Sequence, residues 1–135
     1  MQQQAIVHEL DMLPIYLELS EGQFRSSFEH LQQLEALQDQ PYVLDDDLIK
    51  RTITVHLEQK DYSKMTLEQC QQWRQQHPSS EQIADIETVE GFTKKLQEIN
   101  AKILHLANQY KQHTIERLLE QDPIESALDF LMGEV

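Results

Sequence analysis

Apolar residues recur at steps of three and four along most of this chain, the spacing that gathers them on one face of an α-helix. Asp11 followed by Pro14 predicts a short helix over about 11–19, because proline in the first turn forfeits only an amide without an intrahelical partner. Glu21-Gly22 reads as an interruption, and Ser20 with Gln23 has the form of a capping box that starts the next helix. That helix carries Phe24, Phe28, Leu31, Leu34 and Leu37 on one stripe and is expected to stop before Pro41. A second hairpin is predicted from Asp45-Asp46-Asp47, whose carboxylates suit the positive end of a helix dipole, through Leu48, Ile49, Thr52, Ile53, Val55 and Leu57. The β-branched run from Thr52 to Val55 has strand character, but a lone strand has no partner elsewhere in the sequence, so it is assigned to a helix. Thr66 with Gln69 repeats the capping pattern, and Leu67, Cys70 and Trp73 continue one face until His77-Pro78 ends it.

The longest segment is predicted over about 80–121, capped by Ser79 or Ser80. Its stripe is Ile83, Ile86, Val89, Phe92, Leu96, Ile99, Ile103, Leu106 and Tyr110. From Phe92 onward the steps alternate between four and three, the rhythm of helices packed side by side at a shallow angle. A straight helix of that length spans roughly 60 Å, whereas a compact domain of this size has a radius of gyration of about 14 Å. Such a helix must bend, with Gly91 the candidate point, or project and find a partner. Self-association as a homodimer through Phe92, Leu96, Ile99, Ile103, Leu106 and Tyr110 is therefore expected. Asp122-Pro123-Ile124-Glu125 then starts a short C-terminal helix over about 123–132. Its apolar face, Ile124, Leu128 and Leu131, is a candidate for docking a partner or for closing the bundle.

Laying Tyr16–Leu34 over Thr54–Gln72, an offset of 38 residues, pairs Leu17 with Val55, Leu19 with Leu57 and Phe24 with Tyr62. Gly22-Gln23-Phe24 followed by Ser27 and Leu31 resembles a tetratricopeptide-type hairpin. The second unit departs from that pattern, with Lys60 at the turn glycine and Gln69 and Gln72 at positions expected to be buried. The resemblance implies two stacked helical hairpins over about 11–78. The fold class expected is all-α, a single domain over 1–135 made of these hairpins, the long helix and the short C-terminal one.

Composition supports this picture. Three glycines and four prolines leave few breaks, and 39% hydrophobic residues suffice for one core in 135 residues. A formal charge of −13 sets 24 acidic against 11 basic residues, which argues against nucleic acid or an anionic membrane as partner. The excess is steepest in the first 50 residues, where ten carboxylates meet only Arg25 and Lys50. The acidic surface at Asp45, Asp46 and Asp47 is a candidate for attracting a basic protein, set against its reading as a solvated face. Cys70 is the only cysteine, so no internal disulfide forms, and with no basic leader and no apolar span the expected location is the cytoplasm.

Chemistry is sparse. None of His8, His30, His56, His77, His105 and His113 has another histidine three or four residues away, or a glutamate three residues before it. Cys70 lies on an apolar stripe, and neither a Gly-x-Ser-x-Gly elbow nor a glycine-rich phosphate loop is present. Glu87 with Glu90 reads as a solvated acidic pair, and Trp73 and Tyr110 as core. No catalytic, cofactor-binding or metal site is therefore expected. The leading expectation is a non-catalytic protein–protein interaction module, an adaptor, chaperone-like or regulatory protein. An acidic nucleic-acid mimic or inhibitor of a basic protein is the alternative, and a small helical enzyme or metal carrier is a further one.

Overall fold

The computed structural model describes residues 9–121 and Leu131, and the described residues are all-α, with no strand among them. Three long helices carry the fold: α1 (Leu13–Glu35), α2 (Asp46–Arg74) and α3 (Ser80–Tyr110), followed by the short α4 (Ile115–Gln121). Single 3₁₀ turns at Leu10–Met12 and Pro41–Val43 lead into α1 and α2.

The expected hairpins are instead two unbroken helices. Ser20 does not cap; it is buried, and its hydroxyl donates back to the Leu17 carbonyl oxygen (3.1 Å). Thr66 likewise donates to the Tyr62 carbonyl oxygen (3.0 Å). Hydroxyls inside helices commonly make this backward bond, and a Ser-x-x-Gln or Thr-x-x-Gln string looks the same whichever way the hydroxyl turns. Gly22 is carried through mid-helix, with open space where a Cβ would stand. The true starts are Asp45, whose carboxylate accepts the Leu48 N–H (2.7 Å), and Ser79, which exchanges a full capping box with Gln82 (3.2 and 2.9 Å). His77, with φ of 56°, takes the left-handed turn that ends the α2 region ahead of Pro78.

The long helix also differs from expectation. It passes straight through Gly91 and stops at Tyr110, a length of 31 residues. No glycine or proline ends it. Instead the chain is caught by the start of α2: the Thr114 hydroxyl donates to the Asp46 carboxylate, and the Ile115 N–H donates to the Leu44 carbonyl oxygen (3.1 Å). Ile124 and Leu128, with the rest of the predicted C-terminal helix except Leu131, lie outside the described residues; Leu131 is helical and exposed.

α1 and α3 run in the same direction and α2 runs against both, as shown by Tyr110 donating to the Leu34 carbonyl oxygen (2.6 Å) and Arg74 pairing with Glu90. Both α1 and α2 pack along α3, while α1 and α2 meet mainly through side chains. Each helix faces the others with strict seven-residue repeats: Leu13-Ser20-Ser27-Leu34, Ile49-His56-Ser63-Cys70 and Ile86-Thr93-Asn100-Ala107, all buried. This is side-by-side heptad packing within one chain. Every repeat places its polar members in the middle. The core therefore divides into an apolar cluster of Leu31, Leu34, Leu44, Ile49, Ile99, Ile103 and Tyr110 at one end and another of Leu13, Cys70, Trp73, Ile86 and Val89 at the other.

Candidate functional site

The polar middle is where chemistry-bearing side chains converge. His56 is buried on α2 and reaches both neighbours: its Nδ1 lies 2.8 Å from Asn100 Oδ1 on α3, and its Nε2 lies 3.0 Å from His30 Nδ1 on α1. A carboxamide oxygen only accepts, so His56 Nδ1 carries a proton, and in the neutral ring His56 Nε2 offers a lone pair. His30 Nδ1–H must then be the donor to it, leaving His30 Nε2 as the free acceptor of the relay. The ring centroids stand 5.1 Å apart with 37° between planes, so the two rings meet nitrogen to nitrogen rather than face to face. One turn along, the Ser27 hydroxyl donates to the Gln59 side-chain carbonyl (3.1 Å), making a second link between α1 and α2.

These links form one wall of a pocket of about 320 Å³ that opens between α1 and α2 and is lined by Ser26, Glu29, His30, Gln33, Val55 and Gln59, with Ser27 and His56 behind. Burial, and secondarily the neighbouring His56, hold the His30 pKa below the ordinary histidine value. The Asn100 amide nitrogen and the Ser63 hydroxyl are buried without a protein partner, which marks the middle as the least satisfied part of the interior. Seven-residue spacing places His56, Ser63, Thr93 and Asn100 at seam positions that an apolar stripe skips, but nothing in the sequence joins them to His30.

The residues singled out from sequence fall elsewhere. Leu96, Ile99, Ile103 and Tyr110 are buried in the chain's own interior, Leu106 packs against the same cluster, and the Phe92 ring lies 5.7 Å from that of Phe24. Four of the six residues assigned to self-association are thus buried within the chain, while Phe92 and Leu106 stay half-buried. Asp45 caps α2, Asp46 binds Thr114 and lies 3.7 Å from Arg117, and Asp47 pairs with Arg51 (3.1 Å), so the acidic run builds a helix start. Glu90 is engaged by Arg74 through two contacts of 2.5 and 3.4 Å and does not form a solvated pair with Glu87. Cys70 is fully buried; burial first, and then the Glu90 carboxylate, push its thiol up to about 12, against the opposing pull of Arg74. A thiol there is packing material, with almost no thiolate at neutral pH.

Among the described residues no group of three or more His, Cys, Asp or Glu side chains is placed to hold a metal ion, and no helix is long and apolar enough to cross a membrane. The Ser27 hydroxyl is directed at Gln59 and not at a histidine nitrogen. Comparison with known proteins finds no matching family model, and no significant match to a curated protein or to a solved structure. The fold and site together define an all-α helical bundle with a hydrogen-bonded polar middle and an open seam.

Proposed function

We propose that this chain is a non-catalytic interaction module that receives a basic amphipathic helix along the open seam between α1 and α2. The observation that carries the reading is a second seven-residue line on α2, just outside the buried one. Leu48, Val55 and Tyr62 repeat at steps of seven, with Met65 a turn beyond, and all four are exposed. Val55 lines the pocket at the His30–His56 link. Across the seam, Ile15 and Leu19 sit one turn apart on α1 and are also exposed. An apolar line at heptad spacing beside a groove suits a further helix, which would complete a fourth position in the bundle.

Charge selects the occupant. The chain carries −13, Glu29 lines the pocket, and Glu58 stands three residues from Val55 and four from Tyr62 on the same flank of α2. Arg51, a cation of that stretch, is engaged by Asp47. Self-association through Phe92, Leu96, Ile99, Ile103, Leu106 and Tyr110 has no part in this reading, since Leu96, Ile99, Ile103 and Tyr110 are buried in the chain's own interior.

A photo-crosslinking residue at position 62, compared with one at the exposed Leu57 elsewhere on α2, tests the reading in cells that express the chain. Adducts at position 62 alone, mapping to basic amphipathic helical segments of another protein, are expected. Adducts to a second copy of this chain, adducts to acidic or non-helical segments, or equal labelling at both positions would overturn it.

A further inference from the structure

We infer that the His30–His56–Asn100 relay is an acid-operated latch: it holds α1 to α2 at the middle of the bundle, and a second proton on the pair releases it. This goes beyond the docking reading and stands whatever occupies the seam.

In the neutral pair His56 Nδ1–H donates to Asn100 and His30 Nδ1–H donates to His56 Nε2, so each bridging nitrogen has one proton or one lone pair to match its partner. The first proton taken up goes to His30 Nε2, the acceptor left outside the relay, and the Nδ1–H bond survives as a charge-assisted one. A second proton has nowhere to go except His56 Nε2, whose lone pair is the acceptor of the link. Placing it there removes the hydrogen bond and sets two imidazolium rings 5.1 Å apart, one of them almost wholly buried.

The surroundings offer little relief. From α1 the group facing the pair is Glu29, the only carboxylate lining the pocket. From α2 the pocket receives the neutral Val55 and Gln59, and from α3 the contact is the neutral Asn100. No described contact supplies His56 with an anion to balance a charge.

Release is local by construction. At this level α1 and α2 are tied to each other by His30–His56 and Ser27–Gln59, while each is separately packed on α3. The apolar clusters around Trp73 and Tyr110 close the two ends independently of the relay. Acid should therefore part α1 from α2 over residues 26–33 and 55–59 and leave the ends closed. Burial makes the folded His30 ring resist the first proton, so that contribution to stability is complete above the ordinary histidine value, near pH 6.5, and is lost as pH falls through the lowered folded value; the link itself parts only when the second proton follows.

Hydrogen–deuterium exchange of the full chain, corrected for intrinsic rates and compared between about pH 7.5 and about pH 5, tests the latch together with His30→Gln. Glutamine is the informative replacement because its amide can donate to a neutral His56 or turn its oxygen to accept from a protonated one, so it tolerates either state. In the wild type, exchange over 26–33 and 55–59 should accelerate by roughly tenfold or more in acid, while segments around Trp73 and Tyr110 keep their protection. His30→Gln should change by less than about twofold in the same segments. Seam protection that persists in the wild type at the lower pH would overturn the latch, and so would equal acid loss in His30→Gln or loss of protection over the whole bundle at once.

Discussion

At the Trp73 end of the bundle the seven-residue repeats deliver Leu13, Cys70 and Ile86, with Val89 beside them, around a fully buried indole, and Tyr16 meets that ring edge-on at 4.9 Å between centroids. Half a helix away the same repeats deliver Ser27, His56, Ser63, Thr93 and Asn100. The spacing is identical and the chemistry is not. Apolar contact at the end is non-directional and tolerates small shifts, whereas the middle depends on paired donors and acceptors and suffers when one is removed. The comparison teaches that the heptad sets where the helices touch, while the residue at each position sets how readily they part.

The strongest way to break the comparison is at the apolar end. Trp73→Ala removes the largest fully buried side chain and should lower unfolding free energy by about 3–5 kcal/mol in denaturant titration. In the middle, His56→Leu leaves Asn100 Oδ1 and His30 Nδ1–H without partners and should lower stability by about 1–3 kcal/mol. Adding Asn100→Leu and His30→Leu to it should recover much of that loss, because removing all partners of a buried polar set is close to neutral. A triple variant less stable than the single one would show that the middle is held by something other than the relay. Gly22→Ala should act in the opposite direction and raise the melting temperature, by about 0.5–1 kcal/mol in stability, since α1 is continuous there and a Cβ meets nothing within 4 Å. A loss at Gly22→Ala would instead favour the broken hairpin. The smallest effect is expected at Val55→Glu and Tyr62→Glu, each within about 0.5 kcal/mol in thermal melts, because both side chains stand outside the buried seam.

The all-α class, the start of α2 at Asp45, the end near His77-Pro78 and a cap at Ser79 or Ser80 were legible because each rests on neighbours within three or four residues, while the choice of Ser79 came only from its exchange with Gln82. Ser20 and Thr66 misled for the same reason: the local string permits a cap, and only burial against another helix turns the hydroxyl backward. The stop at Tyr110 was invisible because its cause, Asp46 and Leu44 holding Thr114 and Ile115, lies almost seventy residues away in sequence. The relay was missed differently. His30, His56 and Asn100 sit on three helices, so no spacing along one helix joins them, and tests for metal-binding histidines on a single face pass over the pair. Long-range pairing of polar seam residues is what brings the site together.

The central claim, that a directional hydrogen-bonded relay joins the three helices at mid-bundle, is tested most directly by nitrogen NMR of the histidine side chains at neutral pH. The account predicts that His30 and His56 are both neutral with the proton on Nδ1, and that scalar coupling is seen across the hydrogen bond from His30 Nδ1 to His56 Nε2. A His56 ring that carries its proton on Nε2, or two rings that show no coupling across the link, would contradict it.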